Sequence, residues 1–210
     1  MIKETMMKKY VTIILIFSFS ACINSDHKKV RYGTVNIDKY GNRTINTSFS
    51  IQDNFNSTKA GKLYEKALMF SQNQENDSAL IYMKMANKTE KENKLILKDL
   101  GNIFAEMDQI DSAKYYTLKS IELDSSYSWA LNNFGLLLYR EYEYSQAIEY
   151  YNKALRLEPE NGLFHVNKAL ALHQLGQVDS CCIHLKIAQK LNSYDSKKYI
   201  KELLKHYDCK

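Results

Sequence analysis

The chain has one proline, seven glycines and one tryptophan in 210 residues. That scarcity argues against a fold of many short strands, whose turns draw on proline and glycine. No glycine-rich loop of the phosphate-cradling kind is present. No serine, histidine and aspartate order suggests a nucleophile with its base, and no paired carboxylates stand out. Long apolar runs are missing too. The longest, Tyr10 to Phe19, is about half of the ~20 residues that span a bilayer. Net charge is small at +5, too weak a bias to indicate a nucleic-acid partner. What is present is ordinary globular composition, 45% apolar and 25% charged, with sixteen tyrosines and eight phenylalanines as large packing groups. That is enough for one domain.

The N-terminus reads as a targeting segment. Lys3, Lys8 and Lys9 precede the apolar run, which ends at Ser20-Ala21-Cys22. The small residues before the cysteine resemble a bacterial lipoprotein signal, although Phe19 stands where leucine is usual. The resemblance implies removal of residues 1–21 and lipidation of Cys22. An uncleaved anchor or a soluble export signal are the alternatives. Losing residues 1–21 takes away three lysines and one glutamate, which leaves a charge of +3. Residues 22–59 are polar and are expected to be a flexible tether. The alternation of Val35/Ile37 and Ile45/Thr47 around Tyr40-Gly41-Asn42 offers a short hairpin as the lesser alternative.

A period begins at residue 60. Ala67, Gly101, Gly135 and Ala169 are 34 apart, as are Ala79, Ala113, Ala147 and Cys181, and Ala86, Ser120, Ala154 and Ala188. All are small. Large residues keep step: Phe70, Phe104, Leu138 and Leu172, and Leu63, Leu97, Leu131 and His165. Within each copy the apolar residues recur at helical spacing on two segments. Repeats are therefore expected at 60–93, 94–127, 128–161 and 162–195. Asp77-Ser78, Asp111-Ser112, Ser145 and Asp179-Ser180 are placed to cap each second helix. A row of helix pairs leaves its last apolar face open. Residues 196–210, with Tyr199, Ile200, Leu203, Leu204 and Tyr207 on one stripe, are expected to close it as a capping helix.

The third copy carries a family resemblance. Leu131, Phe134–Gly135, Leu138, Ala147, Tyr151, Ala154 and Pro159 fall where the 34-residue tetratricopeptide repeat places its large and small residues. The tryptophan and first tyrosine of that pattern are leucines here, and Tyr142 holds the frequent turn glycine. The resemblance implies an all-α fold, a right-handed superhelical solenoid of helix-turn-helix repeats, with the first helices lining a concave groove. It also implies binding of a protein or extended peptide, with no catalysis and no cofactor.

The non-core positions of the first helices would line that groove: Tyr64, Lys98, Asn102, Trp129, Asn132, Asn133, Leu136, Tyr139, Val166 and Asn167. Trp129 would be an exposed anchor flanked by amides, or would pack on a neighbouring repeat. Tetratricopeptide domains that hold chaperone C-termini use a lysine and asparagines, then two cations. Lys98, Asn102 and Asn133 match the first places, but Leu163 and Asn167 hold the cationic ones, so a carboxylate clamp is not expected.

Cys181 is expected to replace a core alanine. Cys182 and Cys209 would form a disulfide if the capping helix runs back along the last repeat helix. Cys181, Cys182, His184, His206 and Cys209 are metal-ligand types without a recurrent zinc spacing, so no metal site is expected. His165 and His173 sit at repeat phases and read as structural.

These readings combine into a non-catalytic scaffold or adaptor, lipid-anchored in the bacterial cell envelope. It has a protein partner, no nucleic acid and no small-molecule substrate. A self-associating assembly component, with Tyr115, Tyr116 and Tyr150 facing another copy, and an accessory subunit of an envelope enzyme complex are the alternatives.

Overall fold

The computed structural model describes residues 35–37, 43–45, 54–191 and 194–209. Residues 1–21 and Cys22 lie outside them. The chain forms two compact units, one ending at Ile96 and one beginning at Leu97.

In the first unit, strands β1 (Val35–Ile37) and β2 (Arg43–Ile45) pair antiparallel, with Val35 opposite Ile45. This is the hairpin that the alternation offered, so the segment expected to be only a tether contains paired backbone. Helices α1 (Thr58–Gln72) and α2 (Asn76–Thr89) follow. Helix α1 starts before the expected boundary at residue 60. The Ser57 side chain accepts from the Ala60 N–H, and the Phe55 ring packs 5.0 Å from that of Tyr64, above Gly61. Burial of Phe55 ties down residues that composition alone assigns to the tether. Beyond α2, the Glu90 carboxylate accepts from the Ser57 N–H at 3.0 Å and from Asn93 Nδ2 at 2.9 Å. Asn93 Oδ1 accepts from the N–H of Leu95 and Ile96, capping the next helix.

That helix, α3 (Lys94–Glu106), begins in the first unit and continues into the second. Then come α4 (Ile110–Leu123), α5 (Ser128–Arg140), α6 (Tyr144–Leu157), α7 (Gly162–Gln174), α8 (Val178–Leu191) and α9 (Tyr194–His206). The starts of α3, α5 and α7 are 34 apart, as are those of α2, α4, α6 and α8. The repeat boundaries at 94, 128 and 162 coincide with helix starts. The capping helix begins at Tyr194, two residues before its expected start.

The turn inside each repeat is held by backbone rather than by the expected caps. Gln74, Asp108, Tyr142 and Gly176, again 34 apart, take φ of 64°, 60°, 66° and 74°. The left-handed residue lets the chain reverse, and the N–H of the next residue bonds back: Gln109 to Phe104 O and Glu143 to Leu138 O, both at 2.9 Å. Glu75, Gln109 and Glu143 occupy the N-cap positions and make no side-chain cap bond. Asp77, Asp111 and Asp179 are each the second residue of their helix, two positions past the cap, in the first helical turn. There a carboxylate favours the positive end of the helix dipole. Ser145 is inside α6 and is not a cap.

All twelve small residues of the period are buried. The helix crossings explain why. A Cβ built on Gly135 would stand 2.7 Å from Tyr151 Cε1 and 3.2 Å from Ala147 O; one on Gly101 would strike Thr117 Oγ1 and lie 3.1 Å from Ala113 O. The backbone of each first helix therefore rests directly on its partner helix.

Helix α9 buries Ile200 and Leu203, and the Tyr207 ring lies 3.9 Å from the His173 imidazole. Cys182 and Cys209 are disulfide-bonded, with Cα atoms 5.3 Å apart and 27 residues between them in sequence. Closing a loop of that length removes unfolded-state entropy worth about 3.5 kcal/mol, so the bond adds to the burial of Ile200 and Leu203 in holding the cap down.

Gly135→Ala should destabilise the chain by about 1–3 kcal/mol, because the rigid Tyr151 ring and the Ala147 carbonyl leave no room for a methyl. Denaturant unfolding checks it; an unchanged midpoint would contradict the crossing described above.

Candidate functional site

Helix α5 is buried on every side from Ser128 to Tyr139, and α7 nearly so. A helix apolar all round is a core helix, yet α5 and α7 carry three asparagines among their buried residues: Asn132, Asn133 and Asn167. Buried amides need partners, and here they find one another. Asn167 Nδ2 donates to Asn132 Oδ1 at 2.9 Å, and Asn132 Nδ2 to Asn133 Oδ1 at 3.3 Å. Asn133 Nδ2 donates to Asn102 Oδ1 at 2.7 Å, and Asn102 Nδ2 to Asp99 Oδ1 at 3.0 Å. Lys98 Nζ ends the series 3.1 Å from the same Asp99 oxygen. One polar line thus crosses the first helices of three successive repeats. The spacing produces it: Asp99 and Asn102 are three apart on one helix face, and the cross-repeat bonds span 31 and 35 residues, either side of the 34-residue period.

Three buried polar side-chain atoms on these helices remain without a hydrogen bond among the described residues, Trp129 Nε1, Asn167 Oδ1 and His173 Nδ1. Trp129 is only 1% exposed, with its ring edge-on to Phe164 at 5.0 Å. The expectation of a solvent-exposed anchor is corrected: its large apolar ring is spent on the next repeat. Leu136, Tyr139 and Val166 are likewise buried, and Asn102 is half-buried. The Tyr139 hydroxyl accepts from Gln174 Nε2 at 3.4 Å, and burial pushes its ionisation up to about 12. Tyr64 lies in the first unit against Phe55.

Glu106 was not singled out by sequence. Burial, and then the nearby Asp99 carboxylate, raise its carboxyl to about 7. Its signal was positional, two turns from Asp99 on α3. The Arg140 guanidinium donates to Ala105 O and to Asp108 Oδ1, both at 2.6 Å, and so ties the turn of one repeat to the next. Of the tyrosines proposed for self-association, only Tyr115 is exposed. Tyr116 stacks on Phe104 and Tyr150 leans on Phe134, because the repeat uses those rings to hold its two helices together. Among the possible metal ligands, Cys182 and Cys209 are consumed by the disulfide, and burial pushes the Cys181 thiol up to about 11. No group of three or more His, Cys, Asp or Glu side chains gathers among the described residues.

Residues 128–161 match the model of the tetratricopeptide repeat. The fold is an all-α solenoid of tetratricopeptide repeats. Similar solved structures agree with it. MamA 41-end from Desulfovibrio magneticus RS-1 has a TM-score of 0.58 and 17% identity, covering 72% of this chain and 94% of that one. The Sgt2 TPR domain from Aspergillus fumigatus has a TM-score of 0.54 and 18% identity, covering 58% and 82%. The curated relatives Hsc70-interacting protein 1 and protein 2 of Drosophila melanogaster are each 29% identical over 93 residues, 44% of this chain. The chain spans only 25% of the length of those relatives. Tetratricopeptide solenoids are in general non-catalytic interaction modules.

The raised Glu106 carboxyl gives a pH signature. Its folded form holds the proton more tightly than the unfolded form, so its contribution to stability is full below about 4.5 and is lost as pH rises through about 7. Glu106→Gln should flatten the fall in stability across that window. Chemical unfolding of parent and variant at several pH values checks it; parallel curves would contradict the burial.

Proposed function

We infer that this chain is a non-catalytic scaffold that holds an extended segment of a partner protein against its first helices. The observation that carries the reading is the amide line from Asn167 to Asp99, together with the unpartnered Trp129 Nε1 and Asn167 Oδ1. A row of amides that reaches from repeat to repeat suits a ligand that is itself a row of amides. An extended peptide offers a carbonyl to the indole N–H and an N–H to the asparagine oxygen. Lys98 is already paired with Asp99, so the face favours neutral backbone over a terminal carboxylate. In the free chain these groups are buried, so occupation requires local rearrangement of the face. The fly relatives are named for binding another protein, which supports the same class of ligand. The lysine-led apolar stretch before Cys22 supports export and lipid anchoring in a bacterial envelope, with Cys22 as the acylated residue.

A photo-crosslinking amino acid at Asn102 should capture a partner, while one at Tyr115, on the opposite helix of the same repeat, should not. Capture at Tyr115 alone, or an adduct with the mass of a second copy, would favour self-assembly through the second helices instead. Metabolic labelling with an alkyne fatty acid should mark the parent and not Cys22→Ser; label retained in the variant would remove the anchor.

A further inference from the structure

The fourth repeat departs from the second and third at one cluster of packing positions, and the first shares only its lysine there, Lys66, which lies over the Tyr82 ring. In the third repeat, Leu131, Phe134 and Tyr150 are apolar packing groups, with the Phe134 and Tyr150 rings 4.7 Å apart. Thirty-four residues on, the same three positions hold His165, Lys168 and His184. All three face one cavity of about 320 Å³, lined also by Asn152, Leu155, Arg156 and Pro159. No carboxylate lines it. Neither Lys168 nor Arg156 has an ion-pair partner among the described residues. A repeat that needed only packing would keep the leucine and the rings; here a buried His165 and partly buried Lys168 and His184 take their places beside the exposed Arg156, and desolvating basic groups costs free energy.

The protons in the cavity follow from the contacts. His165 Nε2 lies 3.0 Å from Pro159 O, and a carbonyl only accepts, so that nitrogen carries hydrogen. His165 Nδ1 is then the acceptor for His184 Nδ1–H at 2.8 Å. That leaves both rings neutral, with Nε2 of His184 bare. Burial first, and then the Lys168 charge and His165, hold His184 down to about 4; burial also lowers His165 and Lys168. Burial thus discourages His165, His184 and Lys168 from charging, and no carboxylate in the lining offsets it. A dication would meet Lys168 and Arg156 and find only two imidazoles. An anion would find what the cavity lacks.

We propose that the cavity between α6, α7 and α8 is a binding site for a small phosphomonoester, with Lys168 and Arg156 pairing its oxygens, His184 donating from Nε2 once protonated, His165 holding the His184 ring in place through Nδ1, and Leu155 and Pro159 against its organic part. This ligand site lies on residues other than the amide line and stands or falls independently of the partner reading. Binding brings in the missing negative charge, so it favours protonation of the imidazoles and strengthens as pH falls.

The test is titration of the full chain in detergent with glycerol 3-phosphate, followed by calorimetry and by the histidine ring proton resonances. Saturable binding is expected, with His184 titrating at higher pH when the site is filled. Lys168→Met should weaken it about tenfold or more, the scale of one charge-assisted contact to phosphate. Lys153→Met, which removes an equal charge from the same stretch outside the cavity, should leave it within about twofold, since screened surface charges contribute little. Sulfate, whose charge does not change in this range, should bind more tightly at about pH 6 than at about pH 7.5, which isolates the protein's own proton uptake. No saturable binding, or equal losses in the two lysine variants, would overturn the proposal. A pH-independent sulfate affinity would remove the histidines from the site.

Discussion

Direct contact of one helix backbone with its partner is the constraint from which the rest follows. At Gly101 and Gly135 the space for a single Cβ is already taken, by Thr117 and by the Tyr151 ring. With so little between the helices, each pair is flat, its apolar stripes are unsatisfied, and a neighbouring pair must cover them. The large residues that keep the same period, such as Phe104 against Tyr116 and Phe134 against Tyr150, then fill what the small ones leave.

That arrangement also governs where polarity is tolerated. A first helix pressed between neighbours is buried on most sides, so the polar residues it carries find partners on the same helix or in the adjacent repeat. The asparagines do so across 31 and 35 residues, and Arg140 reaches Ala105 and Asp108 in the same manner. The polar line is both a repeat-to-repeat register and the feature that suits a peptide ligand. The same rule exposes the exception. His165, Lys168 and His184 occupy packing positions without acidic partners, and the cavity beside them is the consequence.

Much of the candidate site was legible as a set of positions and little of it as a surface. The repeat phases place Asn102, Asn133 and Asn167 on successive first helices, and in the structure they are joined through Asn132 into a bonded line. Exposure was not legible. Trp129 is placed by the period on that face, but its edge-on packing against Phe164 depends on how the next repeat is seated. The caps failed for a related reason. Asp111 and its equivalents look like N-caps, yet after the left-handed residue at Asp108 and its counterparts the helix starts two residues earlier. A sequence reading could notice that Gly176 sits in phase with Gln74, Asp108 and Tyr142 without knowing that all four share one backbone conformation.

By itself the sequence determined the helical pairs, their 34-residue register and the need for a terminal cap, and it made the pairing of Cys182 with Cys209 conditional on the cap running back along the last repeat helix. These depend on local periodicity and on which ends a helix returns to. Only the tertiary structure decided which of the first-helix residues are buried, where Phe55 docks, and that two histidines and a lysine share a cavity. Those outcomes depend on distances between residues of different helices, which side-chain size and period constrain but do not fix.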